Sequence, residues 1–153
     1  MRQPLPLLPP VPFVQEMGIL LMRWEEGESS VELDPQAHHL NSLSVTHGGV
    51  IMTLMDVALG RACRSPANPQ AVVTIDLKTS FMRAAAGPLR CEGRLLHRTA
   101  TMAFAEATLY DLQNRICAHA TGTFRYVERL PDQARAERRN ARAAGSAPKL
   151  PET

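Results

Sequence analysis

His47-Gly48-Gly49-Val50-Ile51-Met52-Thr53-Leu54-Met55-Asp56-Val57-Ala58-Leu59 is the stretch on which the fold turns. From Val50 to Leu59 apolar residues fall on nearly every helical face, which predicts a helix buried all round rather than one lying on a surface. The paired glycines stand where that helix should begin, and Ser-Pro-Ala-Asn-Pro at Ser65 to Pro69 is where the chain must turn away. A helix covered on every side needs a sheet around it, and the flanking sequence supplies the strands. Upstream, a short helical turn around Phe13 to Met17 ends at Gly18; Ile19 to Glu25 and Ser29 to Leu33 then read as a hairpin about Glu-Glu-Gly-Glu. Downstream, from residue 71, the apolar period becomes two.

Val73, Ile75, Leu77 and Phe81 alternate with Thr74, Asp76, Lys78 and Ser80, and a Gly87-Pro88 turn follows. Cys91, Gly93 and Leu95 then alternate with Arg90, Glu92 and Arg94. Ala103, Ala105, Ala107 and Leu109 share one face of the next run, and Ala118, Ala120, Gly122, Phe124 and Tyr126 one face of the last. Four consecutive strands joined by short turns predict an antiparallel meander, and the small residues on their faces predict a helix backbone lying close against it. The expected architecture is α+β, an antiparallel sheet wrapped around one long central helix.

Composition bounds the rest. The chain has 153 residues, 44% hydrophobic and 21% charged, with a net charge of +2, a length that suits one domain with a real core. Five of the 12 prolines lie in the first twelve residues and three at or beyond Pro131. Residues 1–12 are therefore expected to be a proline-rich arm, 13–130 the folded domain and 131–153 a disordered tail. Up to Pro131 there are 12 basic and 12 acidic residues, so the body is neutral and no nucleic-acid-binding face is expected. No apolar run approaches the roughly 20 residues that span a bilayer, and the start lacks a continuous apolar signal segment, so no membrane partner and a cytoplasmic location are expected. Cys63, Cys91 and Cys117 are far apart and form no CxxC, and neighbouring His38 and His39 have no spaced partner ligands, so neither a disulfide framework nor a metal site is expected.

Chemistry concentrates at Asn41, His47-Gly48-Gly49 and Asp56. Glycines at a helix start let a ligand approach the backbone, and their unpaired amides suit an anion or a developing oxyanion. Asp56 lies mid-helix among apolar neighbours, where a carboxylate is costly unless something uses or pairs it. Together they supply a base and an oxyanion site, the equipment for acyl transfer to water. His47 and Asp56 are nine residues apart, roughly 13 Å at about 1.5 Å per residue, too far to touch one carbonyl. Either they act separately, or a second copy brings its Asp56 to the first copy's helix start.

These residues resemble the signature of hotdog-fold acyl-CoA thioesterases of the phenylacetic-acid-degradation type, within the 4-hydroxybenzoyl-CoA thioesterase-like superfamily. The resemblance continues through Val73-Thr74-Ile75-Asp76-Leu77, Phe81-Met82-Arg83, Gly87-Pro88-Leu89, Met102 to Ala107 and Ala118 to Phe124, covering about Gly18 to Val127. It implies hydrolysis of a small aromatic or medium-chain acyl-CoA to free acid and CoA, with coenzyme A entering only as part of the substrate. It also implies a homodimer with shared active sites, in some relatives paired into a tetramer. By the same resemblance Asp56 is general base or nucleophile, the Gly48 amide polarises the thioester carbonyl, and Asn41 orients the water or the thioester. His47 shapes the pocket and Thr74 assists the acid from the same subunit. Gly49, Arg83 and Arg98 are candidates for binding substrate and the CoA phosphates. The chain departs from similar sequences at Ala84-Ala85-Ala86, often proline-containing, and at Arg98 to Thr101, often Gly-Arg. Met52, Met55 and Met102 could line an acyl pocket or simply fill the core. A hotdog hydratase fits less well, since no histidine follows Asp56 until His97. A non-catalytic acyl-CoA-binding sensor or scaffold is the alternative outside enzymes.

Overall fold

The computed structural model describes residues 3–7, 11–68 and 70–127. A short helix α1 (Pro12–Glu16) leads into strands β1 (Leu20–Glu25) and β2 (Glu28–Leu33). The long helix α2 (Gly48–Ala62) follows, then strands β3 (Ala71–Phe81), β4 (Leu89–Arg98), β5 (Met102–Tyr110) and β6 (Ile116–Val127). The expected tail, 131–153, lies outside the described residues.

One antiparallel sheet contains all six strands in the order β1-β2-β4-β5-β6-β3. The expected four-strand meander is thus corrected: only β4, β5 and β6 form one. β3 pairs with β6, from Ala71 opposite Val127 to Phe81 opposite Ala118, and β4 runs beside β2. This order puts β2, β4 and β5 behind the helix, where Val31, Leu33, Leu89, Cys91 and Leu109 are buried together, and leaves β3 as an edge. Bulges near Leu21, Thr74, Leu95 and Leu109 curl the sheet about α2.

The small-residue expectation holds in detail. Ala103, Ala105 and Ala107 are buried, and a Cβ on Gly93 would lie 2.6 Å from the Ala58 carbonyl oxygen. That carbonyl accepts a hydrogen bond from Ser29 Oγ at 2.7 Å, so helix and sheet meet backbone to surface. The C-terminal carbonyls of α2 are satisfied by aromatic side chains: Tyr126 Oη donates to Cys63 O, and Trp24 Nε1 to Arg61 O and Arg64 O.

The helix is not buried all round. Ile51, Leu54, Met55, Ala58 and Leu59 face the sheet, but Gly49, Met52, Thr53, Asp56 and Gly60 form an open or half-open stripe along the opposite side. An all-apolar run hides this stripe from periodicity, because Met52 breaks no pattern by being uncovered. On the other sheet edge, Leu5 N donates to Leu21 O at 2.7 Å, and Leu7 packs on the core, so the described part of the N-terminal arm lies along β1. The outer sheet face carries cross-strand pairs, Arg23 with Glu28 and Arg94 with Glu106 among them, which accounts for the neutral charge balance.

Candidate active site

His47 caps the start of α2 with an extended backbone, and its Nδ1 accepts the Gly49 amide at 2.9 Å. This corrects the reading of Gly49 as a donor to ligand: its amide is occupied, and Gly48 alone of the pair lines the adjacent cavity. That cavity has a volume of about 380 Å³ and is lined by Asn41, Val45, Thr46, Gly48, Ile51 and the segment Phe81 to Ala85. The Phe81 ring comes so near Gly48 that an added Cβ would stand 3.5 Å from it. Arg83 borders the same cavity.

Asn41 shapes the loop before the helix. Its Oδ1 accepts the amides of Leu43 at 2.9 Å and Val45 at 3.3 Å, while its own amide donates to Val45 O. The loop includes Ser44 at φ 58°, a left-handed conformation uncommon for a residue with a side chain. With the oxygen committed to the turn, Nδ2 is the end of Asn41 left to address a ligand.

Asp56 lies two turns along the open stripe, not in the cavity. Eight residues separate it from Gly48, roughly 12 Å of helix. Thr74, on the inward side of β3 just before its bulge, donates its hydroxyl to Asp56 Oδ1 at 2.7 Å. Burial raises the Asp56 pKa above the ordinary carboxylate value, and the Thr74 hydrogen bond partly offsets this by favouring the ionised form. A half-buried, hydroxyl-supported carboxylate with a raised pKa suits proton transfer.

The remaining candidates separate. Arg98 does not join Arg83: it pairs with Glu26 at 3.2 Å, near Tyr126 and hence near the C-terminal end of α2. Helix α2 has 15 residues, so that end is roughly 22 Å from Gly48. His39 is buried in a 3₁₀ turn, Ala37–His39, with Nδ1 accepting from Gln36 and its carbonyl accepting from His47 N. It is part of the support behind the helix start. Among the described residues no group of three or more His, Cys, Asp or Glu is placed to hold a metal. Met55 is core, Met52 is open, and neither it nor Met102 lines the cavity. Phe81 and Thr46 join the cavity without a sequence signal, since nothing in local spacing brings the end of β3 to the start of α2.

A curled antiparallel sheet around one helix, with the helix start opening on a cavity and an acid farther along, defines a hotdog fold. The chain belongs to the thioesterase superfamily. The model of that family matches residues 43–118, the helix and the strands that carry the site. An esterase-designated protein of Pseudomonas aeruginosa is 33% identical over 125 residues, covering 78% of this chain and 91% of that one. Among solved structures, the conserved protein PA5202 of the same species is similar at 31% identity and a TM-score of 0.74, covering 77% of this chain and 95% of the other. The E. coli PaaI protein from the phenylacetic acid degradation operon shares the fold at 21% identity and a TM-score of 0.71, over 75% of this chain and 83% of that one.

Proposed function

We propose that the protein is a thioester hydrolase that cleaves a small aromatic or medium-chain acyl-CoA to the acid and free CoA, working as a homodimer with two shared sites. The observation that carries this is the pairing of a cavity at the Gly48 helix start with a supported carboxylate on an open helix stripe. The thioester carbonyl oxygen sits at the Gly48 amide, where the helix N-terminus favours developing negative charge. Asp56 takes a proton from water as the water attacks the carbonyl carbon, or attacks it directly to form an acyl–Asp56 anhydride that water then hydrolyses to the acid and the free carboxylate. Collapse of the tetrahedral species expels the CoA sulfur, which leaves as the thiol once protonated. Because one chain's Asp56 is too far from its own Gly48, the acid comes from a second copy, whose approach covers the open stripe of α2. Val45, Ile51, Phe81 and Met82 suit an apolar acyl group, and Arg83 the phosphates. Coenzyme A is carried in by the substrate. Three free, buried cysteines favour a reducing, cytoplasmic setting, and no described helix is long and apolar enough to cross a membrane.

The test is thiol release from short-, medium- and long-chain and phenylacyl-CoA thioesters. Release should peak with phenylacyl or medium chains, and Asp56→Ala should lower kcat/KM by about 10²–10⁴-fold. Unchanged turnover in Asp56→Ala removes the acid from the mechanism; tight binding without thiol release makes the protein a binder instead.

A further inference from the structure

A two-fold axis that sets each Asp56 at the other copy's Gly48 must run the two α2 helices antiparallel and pass the residue midway between them. That residue is Met52, four positions from each and 38% exposed on the open stripe. Strand β3 marks the same axis from the sheet side. Thr74 stands at Asp56 and the Phe81 ring at Gly48, so the midpoint falls between Leu77 and Lys78. When two such edges pair antiparallel about a two-fold axis normal to the sheet, the central residue faces its own copy, because directly opposite side chains share a face. Leu77 and Lys78 are the two centres that fit. Leu77 lies on the helix side: it packs on the core opposite Gly122, where an added Cβ would meet Leu59 Cδ1 at 3.2 Å. Asp76 and Lys78 flank it, exposed, on the outer face. They are the only charged residues of β3, and neither has an ion-pair partner among the described residues. A Lys78 centre would set two ammonium groups against each other. A Leu77 centre sets leucine against leucine and an aspartate against a lysine on both sides of it.

We infer that a second copy docks on β3 in the register centred on Leu77, with Asp76 opposite Lys78 of the partner subunit and Lys78 opposite Asp76 of the partner subunit. The two Met52 side chains then meet on the axis between the two sites. This rests on the shared-site reading of Gly48 and Asp56. A lone lysine on an edge strand repels a second copy. An aspartate two residues away on the same face makes the edge complementary to itself, and in one register only, so that a slip along the strand loses both pairs. The same register holds each acid at the other copy's helix start.

The test is a charge swap read by sedimentation. Asp76→Lys and Lys78→Asp, each of which sets like charges together twice, should raise the dimer dissociation constant at least about tenfold, and the double swap should restore it to within about threefold of wild type. Single swaps without effect, or a double swap as weak as either single, overturn the register. Met52→Cys leaves β3 untouched and tests the axis with a short bismaleimide, since Cys63, Cys91 and Cys117 are buried. It should give a covalent dimer, whereas Leu112→Cys, 65% exposed on the turn before β6, should not. No covalent dimer through Met52→Cys, or equal cross-linking through both, overturns the axis. A wild-type dimer that passes both tests but releases no thiol from any acyl-CoA keeps the register and sinks the hydrolase reading. A protein that releases thiol and fails them keeps the hydrolase and loses the register.

Discussion

Asp56 carries two opposing influences that can be separated by one substitution. Burial raises its pKa, and the hydroxyl of Thr74 holds the ionised form at 2.7 Å. Removing that hydroxyl in Thr74→Val leaves burial unopposed, so the pKa rises further. A base works only when deprotonated, so the acid limb of the kcat/KM profile should move to higher pH in the variant, with activity near the alkaline plateau much less affected. A limb that stays put would mean that Asp56 is not the titrating base. Asp56 and Gly48 were legible in the sequence because their spacing along one helix is a local quantity. The meeting of Asp56 with Thr74 is not local: 18 residues and a turn separate them, and only the resemblance pointed to it. The occupied amide of Gly49 was hidden for a different reason, since whether a histidine caps a helix depends on a rotamer rather than on a residue type.

At the scale of elements, the fit of α2 on the sheet depends on Gly93 and Ser29. Gly93 makes room for the Ala58 carbonyl, which Ser29 then satisfies. In Gly93→Ala the new Cβ would meet backbone at 2.6 Å, an atom that cannot swing aside. The helix must lift and the Ser29 bond lengthen, at a cost of about 2–4 kcal/mol in denaturant unfolding. A loss below 1 kcal/mol would show that the helix is free to shift. Here the sequence was informative: alternating alanines and glycines on strand faces announced a close helix. Strand order was not. The period of two in β3 and β4 says that each is a strand, but not that seven residues between them carry the chain past two others. Pairing of β3 with β6 is decided by which faces the helix needs covered.

The molecule as a whole presents an apolar edge. On β3, Val73 is 44% and Ile75 57% exposed, beside the uncovered stripe of α2. An exposed apolar edge strand invites pairing with another strand. Ile75→Lys should keep the fold by circular dichroism, give monomers in sedimentation and lower turnover at least 100-fold, because in the proposed dimer each site takes its acid from the other copy. A fully active monomer would show the site to be complete in one chain.

The opposite edge of the same sheet behaves differently. Leu5 lies on β1 and takes the Leu21 carbonyl for its own amide. A sheet with two bare borders can add neighbours at both and grow without limit, like a tape. With one border hemmed by its own chain, the sheet has a valence of one. Once two such borders meet about a two-fold axis, no free valence remains, and strand-by-strand growth ends at the pair.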